Sequence, residues 1–250
     1  MPYYLGAKKS LRFPRKKAAA PFTPTDIVGL NLWFDATRIV GLVDADPVST
    51  WIDSSGNAHD VTGAGAARPT YKTGIQNGLP IVRFNGVANV LNRAAQASMD
   101  ISPVTVFCVY KNYLAGVFNS PIRHGVLGVR NNYGVLSIGG GNPNQYFQWN
   151  AGESVAFANA QEDLWFIRTD KHTGGAPATV TIRNNGVAIG SLGGNTALDT
   201  DVTDQLYLGQ YTAALFGTVD IAELIVYAAA LSAADITTVE TYLNTKWAIY

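Results

Sequence analysis

Charge is what this 250-residue chain has least of: Asp, Glu, Lys and Arg make up 14% of it, against a usual share of about 25%. With 47% hydrophobic residues, that shortage excludes a disordered chain. It also argues against long helical bundles, whose exposed faces carry many Lys and Glu residues. Cysteine is nearly missing. The single Cys108 excludes an internal disulfide framework and a cysteine-rich zinc site, and its place in the apolar run Val104 to Tyr110 reads as a buried, inert thiol. The three histidines, His59, His124 and His172, show no metal-type spacing, and no Gly-x-Ser-x-Gly or phosphate loop occurs. No run approaches the roughly 18 apolar residues of a membrane span, which predicts a soluble chain without membrane insertion. What the chain has in quantity is turn material, 25 Gly and 11 Pro, as a succession of short strands requires.

The formal net charge of zero hides an uneven distribution. Lys8, Lys9, Arg12, Arg15, Lys16 and Lys17 all precede the first acid, Asp26, which leaves 12 basic against 18 acidic residues in the rest of the chain. Tyr3, Tyr4 and Phe13 are interleaved with these charges. Ala18 to Ala20 alone separate the basic run from Pro21, whereas a secretory signal needs an apolar core of about 7–15 residues. Residues 1–25 therefore read as a basic, aromatic-containing arm, and residues 26–250 as one folded domain. The arm is either a solvated tail or a docking element for an acidic partner. Docking is favoured, because the aromatics need a surface to bury against; nucleic acid is disfavoured as that partner.

From Asp26 onward the chain reads as strand after strand. Strands are predicted at Ile27 to Phe34, Ser49 to Ile52, Leu79 to Phe84 and Val104 to Tyr110, the last apolar enough to be a fully buried central strand. Val126 to Val129, Val135 to Ile138, Gln145 to Trp149, Val155 to Phe157 and Leu164 to Arg168 follow at short spacing. Thr179 to Arg183 and Val187 to Ile189 are joined through Asn184-Asn185-Gly186, a tight-turn signal. Gln205 to Gly209 and Thr218 to Tyr227 complete the series, and Gly139-Gly140-Gly141 reads as a loop. About a dozen short strands without intervening helices predict an all-β, antiparallel sandwich or barrel. One helix closes the chain. Ser232 and Asp235 form its capping signal, and Ile236, Val239, Leu243 and Trp247 make one apolar stripe that should pack on the sheet carrying Leu224 to Tyr227.

Several segments occur in an order that resembles a known family: Leu32-Trp33-Phe34-Asp35-Ala36, Trp51-Ile52-Asp53-Ser54-Ser55-Gly56-Asn57, Arg68-Pro69-Thr70-Tyr71 and Gly78 to Gly86. Gly217 to Tyr227, Ala230-Leu231-Ser232 and Val239 to Trp247 complete the pattern. The chain resembles the concanavalin A-like lectin/glucanase superfamily, in particular the laminin-G-like jelly rolls of phage structural and bacterial surface proteins. The resemblance implies a two-sheet antiparallel jelly-roll sandwich with one C-terminal helix, carrying the arm as an extension. It does not imply one function, because the fold hosts lectins, glycosidases, adhesion modules and virion parts.

The site residues divide these options. Glucanases of the family carry a Glu-x-Asp-x-x-Glu strand, since glycoside hydrolysis needs two carboxylates set a few ångströms apart. Here Asp220-Ile221-Ala222-Glu223 is the nearest match, with Thr218 at the first position, and on a regular strand Asp220 and Glu223 face opposite sides. The chain is accordingly expected not to be an enzyme. The resemblance allows one cofactor, Ca²⁺, for which Asp53, Ser55 and Asn57 supply oxygens; the competing reading is an Asx-type turn bonding its own backbone. Asp199, Asp201 and Asp204 read as a solvated acidic loop. A glycan site needs an aromatic platform with amide hydrogen-bonders, and Asn144, Tyr146, Gln148 and Asn150 offer one if Phe147 and Trp149 point into the core. Trp33, Trp51, Trp165 and Trp247 read as core or helix-packing residues.

The expected function is a non-enzymatic virion structural protein, such as a capsid decoration, fibre or tail-associated protein, located at the virion surface. Its arm would hold other virion proteins and its sandwich would contact a host surface glycan. The alternative is a stand-alone carbohydrate-binding or adhesion module, placed outside the cell or on its surface by a route without a classical signal peptide. A homo-oligomer fits a displayed fibre, although no heptad stretch encodes a trimer stalk.

Overall fold

The computed structural model describes residues 20–113, 119–126, 130–137, 144–150, 153–158, 163–198 and 201–250. The arm residues Tyr3, Tyr4, Lys8, Lys9, Arg12, Phe13, Arg15, Lys16 and Lys17, the Gly139-Gly140-Gly141 stretch and Asp199 lie outside the described residues. In chain order the strands are β1 (Leu30–Asp35), β2 (Thr50–Trp51), β3 (Val61–Thr62), β4 (Thr70–Gln76), β5 (Leu79–Asn85), β6 (Leu91–Arg93), β7 (Val104–Asn112), β8 (Asn119–Val126) and β9 (Arg130–Ser137). They continue with β10 (Asn144–Asn150), β11 (Glu153–Ala158), β12 (Trp165–His172), β13 (Ala178–Asn184), β14 (Val187–Asn195), β15 (Gln205–Leu208), β16 (Gln210–Thr212), β17 (Leu215–Phe216) and β18 (Thr218–Tyr227). Helix α1 (Ala233–Trp247) closes the chain.

Two antiparallel sheets of eight strands each result, plus the small β16–β17 hairpin. The first sheet runs β14-β13-β12-β7-β18-β5-β4, and β1 joins the same edge of β18 as β5, further along the strand. The second sheet runs β11-β10-β9-β8-β15-β6-β3-β2. Side chains alternate across each sheet, so one face of each can be apolar. Leu32, Phe34, Val82, Phe84, Val106, Cys108, Leu224 and Val226 of the first sheet meet Trp51, Val61, Leu91, Ile122, Val135, Phe147, Trp149 and Leu206 of the second in one core. This is the expected all-β sandwich with its single C-terminal helix.

The first sheet is covered on both sides, which explains its sequence. In β7, Val104, Val106, Cys108 and Tyr110 face the sandwich core, while Phe107 and Val109 face α1. A strand buried twice over reads as a continuous apolar run, as Val104 to Tyr110 does. Burial also pushes the Cys108 thiol well above its ordinary pKa, so it is held as the inert thiol. Helix α1 starts where the sequence predicts: Asp235 N donates to Ser232 Oγ at 3.2 Å. Ile236, Val239, Leu243 and Trp247 pack on Ile225 and Tyr227. Glu240 adds a polar clamp, accepting from Thr169 Oγ1 at 2.8 Å and from Arg183 Nε at 2.9 Å. Among the described residues no helix is long and apolar enough to cross a membrane.

Strand β8 departs from expectation. It begins at Asn119, upstream of the predicted Val126 start, and residues 127–129 lie outside the described residues. Arg123 and His124, both buried, hide it from a reading by hydrophobic pattern. The link from β15 to β16 is equally demanding. Gly209 holds a φ of +78°, and a Cβ there would stand 2.1 Å from Phe84 Cδ1. Gly209→Ala is expected to cost about 1–3 kcal/mol for overpacking, and more for the strained backbone. Urea unfolding of the variant tests this, and an unchanged midpoint would show that the Phe84 ring can swing aside.

Candidate functional site

The outer face of the second sheet carries a row of polar residues. Strand pairing aligns one row across all eight strands: Thr50, Thr62, Asn92, Tyr207, Arg123, Gly134, Gln148 and Ser154. Apart from Gly134, which has no side chain, the residues of the row point away from the core because their chain neighbours, among them Trp51, Val61, Leu91, Leu206, Phe147 and Val155, point into it. None of the eight is aliphatic. With neighbouring strands about 4.8 Å apart, seven steps give a polar row about 34 Å long.

The β16–β17 hairpin lies over the middle of this row. There Arg123 donates to the Tyr211 carbonyl and stacks its guanidinium 5.2 Å from the Tyr211 ring centre. Burial pulls the Arg123 pKa down, against the opposite effect of Tyr211, Tyr207 and Asp204. At one end of the row, Thr62 and Asn92 open into a groove of about 790 Å³ that Asp60, Arg93, Gln96 and Gln205 also line. Arg93 is preset by Gln96 Oε1, which accepts from its Nε at 3.0 Å, and by the Asp60 carbonyl at 3.2 Å from Nη1. Tyr207 donates its hydroxyl to Gln205 Oε1 at 2.7 Å. The groove thus joins an acid, a cation and three amides, each oriented by a neighbour or by the sheet.

At the other end of the row stand the residues expected to form a glycan platform. Phe147 and Trp149 are core, so Tyr146 and Gln148, both half-buried, take the outer face. Small neighbours, Gly134 on one side and Ser154 on the other, flank Gln148. Asn150 is diverted: a bulge follows Gln148, and the Asn150 amide donates to Thr196 Oγ1 at 2.9 Å and the Ala197 carbonyl at 2.8 Å. The side chain of Asn144 lies outside the described residues.

The Asp53, Ser55 and Asn57 loop is brought together, in the Asx-type arrangement. Asp53 Oδ1 accepts from Trp33 N and Ser55 N, both at 2.9 Å, and Oδ2 accepts from Ser55 Oγ at 2.6 Å and His59 N at 3.0 Å. Asn57 turns its amide nitrogen to the Leu30 and Asn31 carbonyls, each at 3.0 Å. A cation at this loop would have to displace those donors.

Three expectations need correction. Asp220 and Glu223 do not face opposite sides. A bulge between Ile221 and Glu223 shifts the register, so that both point away from the sandwich core. Arg83 grips Asp220 with Nε and Nη2 at 2.7 Å each, and Tyr113 donates to it at 2.7 Å. Glu223 accepts from Trp33 Nε1, Tyr242 Oη, Lys246 Nζ and Trp247 Nε1 at 2.7–2.8 Å. Burial first, and the nearby Asp35 second, raise its pKa, with Lys246 opposing. The second correction concerns Asp204, which is fully buried and not part of a solvated loop. The third is that His124 has metal-type neighbours after all: Asp100 and Asp204 converge on it. Burial pushes the His124 imidazole down to about 4, against the pull of Asn132 and the Asp204 backbone. Residues so distant in the chain leave no local spacing to find; strand register alone brings them together.

No protein-family model and no curated protein matches the chain. Solved structures do. Trypanosoma rangeli sialidase in complex with sialic acid aligns at 15% identity and a TM-score of 0.62, over 88% of this chain and 33% of the sialidase. The same sialidase with the inhibitor DANA aligns at 14% identity and a TM-score of 0.60, over 88% of this chain and 34% of that one. A tryptophan-to-alanine mutant of botulinum HCR/D aligns at 11% identity and a TM-score of 0.60, over 86% of this chain and 52% of its own. The chain therefore spans about a third of the sialidases and half of HCR/D. The expectation that it is not an enzyme is overturned by this likeness, because sialidases stand among the structures it resembles. The missing Glu-x-Asp-x-x-Glu strand tested one arrangement of acids, that of the glucanases, and no other. At these identities the likeness carries the fold, a two-sheet antiparallel sandwich, and assigns no reaction.

Proposed function

We propose that this chain is a carbohydrate-binding sandwich of the concanavalin A-like, laminin-G-like type, taking an oligosaccharide along the outer face of its second sheet. The observation that carries the reading is the aligned polar row with the groove at its end. Sugars present a dense set of hydroxyls, and the groove offers Asp60, Asn92, Gln96 and Gln205 as amide and carboxylate partners at a size suited to a small ligand. Beyond the hairpin, Tyr146 and Gln148 lie on the same face, so a longer glycan has a second place to touch. The sialidases and HCR/D lend support through their fold, and sialic acid in the first of them makes acidic sugars a natural first probe.

In its fuller form the proposal places the sandwich on a virion surface, with residues 1–25 holding other virion proteins and the second sheet turned to a host glycan. The basic, aromatic arm favours this over the stand-alone adhesion module. Mass spectrometry of purified particles separates the two, since a stand-alone module would be absent from them.

The binding itself is tested on an array of sialylated and neutral glycans, followed by calorimetry on the strongest binder. Asn92→Ala, an exposed position in the groove, is expected to weaken binding at least about tenfold, as the loss of one or two hydrogen bonds does. Its thermal midpoint should not move. Gln148→Ala should weaken only ligands long enough to pass the hairpin. No binding to any glycan at millimolar concentration would sink the reading.

A further inference from the structure

We propose that Asp100, His124 and Asp204 form a binding site for a divalent transition-metal ion, with Zn²⁺ the ion that suits it. The three residues come from separate segments. His124 on β8 is paired with Leu206 and Tyr133, both core residues, so its ring points inward between the sheets. Asp204 lies two residues before Leu206 and points the same way by strand alternation. Asp100 follows the single turn Ala97–Met99. One ligand atom from each lies within 4.8 Å of the others, and His124 Nε2 stands 3.8 Å from Asp100 Oδ1.

Two further observations point to a ligand at this place. His124 is fully buried, and among the described residues neither ring nitrogen has a partner at full hydrogen-bond geometry, although Asn132 and the Asp204 backbone lie close enough to act on its proton. Tyr133, whose ring stacks on His124 at 5.3 Å between centres, has a buried hydroxyl in the same condition. The other two histidines differ. His59 holds Asn31 O at 3.1 Å and Ser98 Oγ at 2.7 Å, and His172 Nδ1 accepts from Gly174 N at 3.0 Å. A buried polar group without a partner costs about 1–3 kcal/mol. An ion bonded to a ring nitrogen would remove part of that cost.

The donor set selects the ion. One imidazole and two carboxylates suit Zn²⁺, which takes nitrogen and oxygen ligands at about 2.0–2.2 Å and leaves a position for water or another oxygen. Tetrahedral bonds of that length set the ligand atoms about 3.3–3.5 Å apart, so the 3.8 Å separation has to close by about half an ångström, and any separation near the 4.8 Å bound by more than an ångström. Ca²⁺ wants about six to eight oxygens and has little use for imidazole. The charges also match, +2 against two carboxylates. An ion here would tie β8, β15 and the Asp100 segment together at one end of the sandwich. Gln96 and Gln205 of the groove sit close to two of the ligands in sequence, but the site stands whether or not the groove takes a glycan.

The test uses the full, untagged chain, stripped with a chelator and titrated with Zn²⁺ by calorimetry, with elemental analysis for stoichiometry. One equivalent per chain and a raised thermal midpoint are expected, and Co²⁺ should give visible absorption bands of low-symmetry nitrogen and oxygen coordination. His124→Ala, Asp204→Asn and Asp100→Asn should each weaken Zn²⁺ binding at least about tenfold. Asp100→Asn keeps shape at the least buried of the three positions, so it reports even if His124→Ala does not fold. Asp163→Asn, at a half-exposed position whose carboxylate stands 3.9 Å from Lys111 Nζ, is the control and should bind as wild type. No stoichiometric uptake of Zn²⁺ or Co²⁺ would overturn the proposal. So would uptake unchanged in Asp100→Asn and Asp204→Asn, loss of uptake in Asp163→Asn, or a site that takes Ca²⁺ in preference to Zn²⁺.

Discussion

Replacing Trp247 with alanine is expected to destabilise the fold by about 3–5 kcal/mol, the range for deleting a large aromatic from a packed interior. Trp247 is fully buried at the end of α1, among Ile225, Tyr227 and Leu243. Its indole also donates to Glu223 Oε2 at 2.7 Å, so the deletion removes packing and one of the four donors that hold a buried carboxylate. Trp247→Phe separates the two effects. It keeps most of the ring volume and loses the N–H, and Glu223 retains Trp33, Tyr242 and Lys246; a smaller cost, about 1–3 kcal/mol, should follow. Against the roughly 5–15 kcal/mol that holds a typical domain together, the alanine variant should show a large shift of its urea midpoint. An unchanged midpoint would mean that the helix is not clasped to the first sheet in solution. In that case Phe107, Val109 and Ile167 would need another cover.

That helix was the most legible part of the chain, because everything that specifies it is local. A cap, an apolar stripe and a length of four turns lie within Ser232 to Trp247, and no distant residue has to be known. The buried strand β7 was legible for a related reason: covering a sheet on both faces leaves an apolar run that needs no partner to be read. Phe147 and Trp149 against Tyr146 and Gln148 could be told apart as two faces, though which face met the core required the second layer. What could not be read depends on register. Asp220 and Glu223 share a side because one extra residue bulges between them, and nothing in Asp-Ile-Ala-Glu announces a bulge. Most of strand β8 goes unread because Arg123 and His124 occupy positions that an apolar pattern would fill. The polar row exists only once eight strands are aligned, and two of them, β2 and β3, are two residues long. Asp100, His124 and Asp204 are invisible for the same reason: each looks ordinary in its own segment.

Removing the Asp170 carboxylate should be as damaging as removing Trp247, for an electrostatic reason. Arg168 and Asp170 alternate on β12 opposite Cys108 and Val106, so both point into the sandwich core, where both are fully buried. Arg168 Nε and Nη2 each donate to Asp170 at 2.8 Å, and Nη2 also donates to the Tyr146 carbonyl at 2.7 Å. The pair therefore bridges the two sheets. Asp170→Ala leaves a guanidinium in the core without its counter-charge and is expected to cost about 3–5 kcal/mol. Replacing both, as in Arg168→Met with Asp170→Leu, removes two desolvated charges together and should recover most of that loss, or exceed wild type. The double-mutant cycle reads the coupling directly from four urea unfolding curves. If Asp170→Ala lay within about 1 kcal/mol of wild type, water or another anion would have to reach Arg168, and the core at this point would not be dry. The functional consequence follows from the Tyr146 carbonyl. Strand β10 carries Tyr146 and Gln148 on the outer face, and Arg168 holds its backbone from beneath. Asp170→Ala should thus loosen the far end of the polar row while leaving Asn92 and the groove in place.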